Sequence, residues 1–132
     1  MKGFKSNIEK NALGNENFRK VLYTSKHLQV VLMSLKPGEE IGEETHNNID
    51  QFFRFEGGRG KCIIDGNKYD VENGDVIVVP AGSKHNVINT DAVKGLKMYT
   101  IYAPPNHKDA LINATKKDAE KNDIEFDGKT TE

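Results

Sequence analysis

Between Phe18 and Tyr102 turn-forming clusters repeatedly interrupt the chain, and that rhythm excludes most folds before any side-chain chemistry is considered. Phe18–Thr24, Leu28–Leu35, Gln51–Glu56, Lys61–Ile64, Lys68–Val71, Val76–Val79, Asn86–Ile88 and Leu96–Tyr102 are short runs rich in Val, Ile, Leu, Phe and Tyr. Such residues suit a pleated, half-buried surface. The breaks at Lys36-Pro-Gly-Glu39, Asp65-Gly-Asn67, Glu72-Asn-Gly-Asp75 and Pro80-Ala-Gly-Ser83 carry the residues that turns demand. Eight strands in about eighty-five residues leave no room for the helices of alternating βα units. The pattern predicts an all-β sandwich or barrel, best met by a closed or double-sheet roll.

The flanks are less regular. Asn7–Asn17 is polar and fits a turn of helix and an extended arm equally. After Pro104-Pro105 the composition turns sharply polar, and Thr115-Lys-Lys-Asp118 reads as a capping box opening a short helix, so a surface helix and a frayed end are expected, the alternative being a tail that closes over a partner or the barrel mouth. The 132 residues then form one domain, with a barrel core over about 18–103 and a short C-terminal helical tail over 104–132. A chain of this length buries roughly two-thirds of its unfolded surface without covalent staples.

Nineteen Lys and Arg against twenty Asp and Glu give a net charge of -1, which argues against a nucleic-acid partner. No apolar stretch approaches the ~20 residues needed to cross a bilayer, and the N-terminal segment lacks the apolar run of a secretory signal, so no membrane association is expected. The single cysteine, Cys62, has no partner for an internal disulfide, which points to a reducing compartment and a cytoplasmic protein.

The residues that carry chemistry begin at Glu44-Thr-His46. On an extended strand, residues two apart share a face, so Glu44 and His46 project together. In the run Gln51-Phe-Phe-Arg-Phe-Glu56, the face bearing Gln51, Phe53 and Phe55 has two aromatics and no charge, which makes it the interior one. A one-residue slip would turn Asp50 inward instead, together with every other side chain in the strand. His85, shortly after the Pro80–Gly82 turn, shares a face with Val87 and Asn89. Two imidazoles and a carboxylate form the ligand set of a facial triad that leaves positions open on a divalent metal, and Gln51 can supply a fourth, neutral oxygen.

The run Gly74-Asp-Val-Ile-Val-Val-Pro80-Ala-Gly82-Ser-Lys-His85-Asn-Val-Ile-Asn89 resembles the second motif of the cupin superfamily without a gap. The first motif, His-x-His, three or four residues, Glu, six residues and Gly, is matched more loosely by Glu44-Thr-His46, Gln51 and Gly58. Spacing is kept, with Glu44 in place of the first His and Gln51 in place of the Glu. The resemblance covers about residues 30–102 and implies a jelly-roll barrel with the metal inside it. It carries His46 and His85 over as ligands, with Glu44 as a competent replacement. Gln51 is then either a ligand or a hydrogen-bonding group beside the ligands. The resemblance also implies a homodimer, for which Tyr99 and Ile101, outward on the last strand, offer apolar surface.

His27 and His107 have no partner at ligand spacing, and Cys62 has no nearby base, so each is expected to be inert. Asp65-Gly-Asn67 and Glu56-Gly-Gly-Arg-Gly60 are expected to be turns. Strand phase places Phe53, Met98, Thr100 and Tyr102 in the core or along the cavity wall. The functional expectation is one divalent ion, iron, manganese or zinc, in a barrel that binds a small oxygen-bearing substrate and supports a dioxygenase, decarboxylase or isomerase reaction. Tyr102 is a candidate acid or substrate contact, and the alternative is a non-catalytic metal or small-molecule binding module.

Overall fold

The computed structural model describes residues 1–132. The eight expected runs are strands β1 (Arg19–Thr24), β2 (Gln29–Leu35), β4 (Asp50–Gly57), β5 (Arg59–Ile64), β6 (Asn67–Glu72), β7 (Val76–Val79), β8 (Lys84–Asn89) and β9 (Leu96–Ala103). Two further strands, β3 (Glu44–Thr45) and β10 (Ile112–Asn113), have two residues each. They are too short to show a period and exist only through their partners: β3 pairs with β8, and β10 with β1.

Two antiparallel sheets face each other, one ordered β10-β1-β2-β9-β4-β7 and the other β3-β8-β5-β6. This is the double-sheet roll that the strand density demands. Their inner faces meet in a core of 16 residues, among them Val31, Met33, Phe53, Phe55, Cys62, Val87 and Met98. Alternation on β4 runs as expected: Gln51, Phe53 and Phe55 are buried while Phe52 and Arg54 are not. Burying each Phe contributes ~1.5–3 kcal/mol, so a slip that exposed both would cost several kcal/mol and the register is held firmly.

Two connections depend on glycine. Asp65 and Gly66 both take positive φ, 46° and 82°, in the two-residue turn of the β5–β6 hairpin, as a type I′ turn requires. At Gly58 φ is +85°, and an added Cβ would lie 2.4 Å from the Gly95 carbonyl oxygen, so only glycine lets the β4–β5 connection lie against the start of β9.

The open N-terminal segment resolves as helix α1 (Ile8–Gly14), where the Asn7 side chain accepts a hydrogen bond from the Lys10 N–H and Ala12 is buried. The tail helix α2 (Lys116–Lys121) starts at the expected cap, with Thr115 accepting from the Asp118 N–H. The tail nevertheless differs from the frayed end expected. Ala119 joins the core, His107 bridges Glu125, and the Thr131 N–H donates to the Thr24 carbonyl at 2.9 Å. The buried face of α2 presents one small alanine among charged neighbours, too little apolar signal for hydrophobic periodicity to reveal docking.

Candidate metal centre

The site is assembled by the β3–β8 pairing, which sets Glu44 directly opposite His85. His46 lies one residue beyond β3, and its carbonyl accepts a 2.8 Å hydrogen bond from the Gly82 N–H. The Pro80–Ser83 turn thus anchors His46 and launches the strand that carries His85. Glu44 Oε2 is 3.2 Å from His46 Nε2, and the two imidazole centroids are 5.4 Å apart. One ligand atom from each of Glu44, His46 and His85 falls within 4.8 Å of the others, so a single ion can reach all three.

The protonation pattern suits an ion. His85 Nδ1 faces the Ser83 carbonyl at 3.1 Å, and because a carbonyl can only accept, that nitrogen carries the proton. Nε2 is left with its lone pair, buried and without a hydrogen-bond partner. An imidazole anchored through one nitrogen and bare at the other is how metal-binding histidines are held. Burial keeps the His85 pKa below its ordinary value and so favours the neutral ring. Burial pushes the Glu44 carboxyl upward, but the His46 hydrogen bond and the nearby His46, Arg19 and His85 outweigh it and leave Glu44 below the ordinary carboxylate range. An ionised carboxylate beside a neutral imidazole is what a divalent ion needs, and these residues fit one.

Gln51 faces inward, 2% exposed, opposite Tyr102 on β9 and Val79 on β7. Its Nε2 donates to Thr100 Oγ1 at 3.0 Å, which leaves Oε1 buried and unpaired. A free amide oxygen therefore faces the interior from the larger sheet, whereas Glu44 and His85 stand on the smaller one.

Tyr102 leads away from the triad. Its ring is edge-on to His46 at 5.9 Å, and its hydroxyl is 3.2 Å from His107 Nε2. His107 Nδ1 lies 3.5 Å from Asp123 Oδ1, an ion-pair separation rather than a well-formed hydrogen bond. Burial raises the Tyr102 hydroxyl far above its ordinary pKa and lowers that of His107, so at neutral pH the phenol donates to a neutral imidazole. His107, expected to stand alone, is 3% exposed and joined to Tyr102.

The structure also places the two other residues that the sequence singled out. His27 is exposed; Cys62 is 1% exposed, and burial pushes its thiol up to about 12. Sequence reasoning passed over Arg19 and Asp123. Both reach the neighbourhood of Glu44 from segments outside the two motifs, and no local spacing links them to it.

The family model described as the cupin domain matches residues 31–102. YrkC, an uncharacterized protein of Bacillus subtilis, is 48% identical over 124 residues, which is 89% of this chain and 66% of that protein, so the chain spans just under two thirds of that relative's length. The crystal structure of BH2720 from Bacillus halodurans superposes with a TM-score of 0.89 at 40% identity, over 92% of this chain and 96% of that one. KdgF from Halomonas sp. shares the fold at 20% identity, with a TM-score of 0.61 over 65% of this chain and 76% of that one. The motif runs, the double-sheet roll and the inward histidines on β8 and just past β3 agree with these likenesses: the chain belongs to the cupin family.

Proposed function

We propose that this protein is a mononuclear metalloenzyme that acts on a small oxygen-bearing metabolite, in an oxidation, decarboxylation or isomerisation. The observation that carries this reading is the convergence of Glu44, His46 and His85 with His85 Nε2 buried and unpaired. Those three residues would hold the ion, which when bound supplies Lewis acidity to a ligand oxygen. Gln51 would offer its free oxygen to the ion or to a bound water. Tyr102, its hydroxyl tied to His107, would position whatever lies against His46. Two imidazole nitrogens with carboxylate and amide oxygens suit iron, manganese or zinc.

A second reading, a non-catalytic binding module, draws support from the same tyrosine. A general acid or base works best with a pKa near the operating pH. Tyr102 is pushed up by burial and His107 down, both away from neutrality. We further propose a cytoplasmic homodimer. Phe52 and Tyr99 lie 6.2 Å apart, and Val78 beyond them is 58% exposed, so apolar surface covers this flank of the larger sheet. Solution mass by light scattering checks the dimer.

The test of function is elemental mass spectrometry on protein purified without a nickel column, beside His46→Ala and His85→Ala. Near-stoichiometric iron or manganese lost from both variants supports the reading and directs assays to oxygen and carboxylate chemistry; zinc directs them to isomerase assays. No metal even after reconstitution refutes it.

A further inference from the structure

Arg19 is 4% exposed, yet no carboxylate oxygen lies within the 4.0 Å of an ion pair with its guanidinium. Its Nε is buried without a partner, and Nη1 reaches only the Asn113 Oδ1 at 3.5 Å, the outer limit of a hydrogen bond. The guanidinium carbon sits 5.4 Å from the Phe18 ring centroid, which places it against one apolar wall. Arginine cannot shed its proton to escape burial, and an unpaired buried charge is costly. The strand holds it there regardless: Arg19 and Val21 are the inward, buried positions of β1, and Arg19 is in register with Asn113 on one side and Met33 on the other.

Arg19 faces a cavity of about 150 Å³ between β1, α2 and the approach to β3. At ~30 Å³ for each water in the liquid, that is room for about five waters, or a molecule of a few heavy atoms. The charged lining comprises Arg19, Glu44, Lys116, Glu120 and Asp123. Glu44 belongs to the triad, so this cavity adjoins the candidate metal centre. Three carboxylates against two cations disfavour a dianion such as a phosphate ester more than a monoanion. A planar guanidinium fork with free donors matches a carboxylate.

We propose that the ligand of this barrel is a small monocarboxylic acid with a second oxygen donor, and that Arg19 is its specificity-determining residue. The guanidinium takes the carboxylate, and the second oxygen is directed toward Glu44, the one residue of the triad that lines the same cavity. The docked tail completes the pocket, with Ala119 packing into the core while Lys116 and Asp123 line the opening. The carboxylate contact stands on Arg19 alone, whereas the role of the second oxygen rests on the metal-centre reading above.

The test is calorimetric titration of the metal-loaded protein with acetate, lactate and pyruvate, beside propane-1,2-diol, the neutral counterpart of lactate, and inorganic phosphate. Lactate or pyruvate should bind at least tenfold more tightly than the diol and more tightly than phosphate. Arg19→Met should weaken that binding about 10- to 100-fold, and Arg19→Lys, which keeps the charge without the fork, by less. Equal binding of diol and lactate, tighter binding of phosphate, no binding by any of the acids, or an unchanged affinity in Arg19→Met would each overturn the proposal. Where Arg19→Met fails to fold, Arg19→Lys serves, and the lactate and diol titrations are repeated on chelator-treated protein: with no ion to attract the carboxylate, equal binding of the two overturns the role of Arg19. Metal content measured on the same samples separates the two readings. Full metal with no acid bound sinks the Arg19 role alone; acid bound through Arg19 in a protein that takes up no metal sustains that role and sinks the metal centre.

Discussion

Replacing His85 with leucine should stabilise the metal-free protein and abolish its response to metal, two effects of opposite sign from one side chain. In the metal-free state His85 Nε2 is buried without a partner, a debt of ~1–3 kcal/mol. Leucine removes it but forfeits the Nδ1–H bond to the Ser83 carbonyl, worth ~0.5–1.5 kcal/mol net. The balance is about 1 kcal/mol in favour of leucine, or a rise in Tm of about 3 °C, taking ~3–4 °C per kcal/mol for a domain of this size. Metal at a hundredfold excess over its Kd stabilises the folded wild type by ~2.7 kcal/mol, a rise of about 9 °C. Thermal melts followed by circular dichroism, with chelator and then with a manganese or zinc titration, measure both effects. A wild-type metal shift retained in His85→Leu would refute ligation by His85. A metal-free Tm lowered by 5 °C or more would refute the claim that its inner nitrogen is an unpaid cost.

Three further outcomes follow from the packing and titration of the same barrel. Asn89→Leu should destabilise the fold by ~3–5 kcal/mol in urea denaturation, because the buried amide reaches the carbonyls of Leu35, Lys36 and Lys94 and accepts from the Asp91 N–H; a loss under 1 kcal/mol would contradict this. Acid should weaken the metal-free protein in two stages. Burial lowers the pKa of His85 and His107 in the folded state, so unfolded chains take up protons first, and the urea midpoint should fall as pH drops below about 6.5; Glu44 and Asp123, also lowered, extend the loss below about 4.5. A midpoint that is flat or rises between pH 7 and 5 would count against the burial of both histidines. Cys62, with its thiol near 12 and 1% exposed, should resist a thiol reagent at neutral pH until denaturant is added, and rapid labelling of the folded protein would show an open core.

Much of the architecture could be read directly from the amino acids, because side chains in strands alternate and the turns need particular residues. Gln51 rather than Asp50 faces inward for the reason the sequence already contains: Phe53 and Phe55 share its face. Asp50 instead accepts a hydrogen bond from the Ala81 N–H at the rim. His85 could be located by the Pro80–Gly82 turn and by Val87 on its face. Glu44 and His46 could be paired by their spacing, even though β3 ends at Thr45 and His46 is held by its own carbonyl's bond to Gly82.

Contacts between distant segments were not legible, since local periodicity carries no information about which remote residue completes a site. The opposition of Glu44 and His85 across β3 and β8 joins positions separated by forty-one residues (85 − 44) and comes from strand pairing. His107 looked solitary until β9 and the tail brought Tyr102 and Asp123 to its two nitrogens. Arg19 looked like an ordinary charge at the start of a strand; inward phase and a docked α2 made it a buried guanidinium beside a carboxylate-lined cavity. The sequence by itself determined the eight longer strands, their phase and the residue types of the candidate ligands, which are local consequences of backbone period and side-chain chemistry. Tertiary structure alone decided which of those groups meet and which buried polar atoms lack a partner, because both depend on how the two sheets and the tail close around a shared interior.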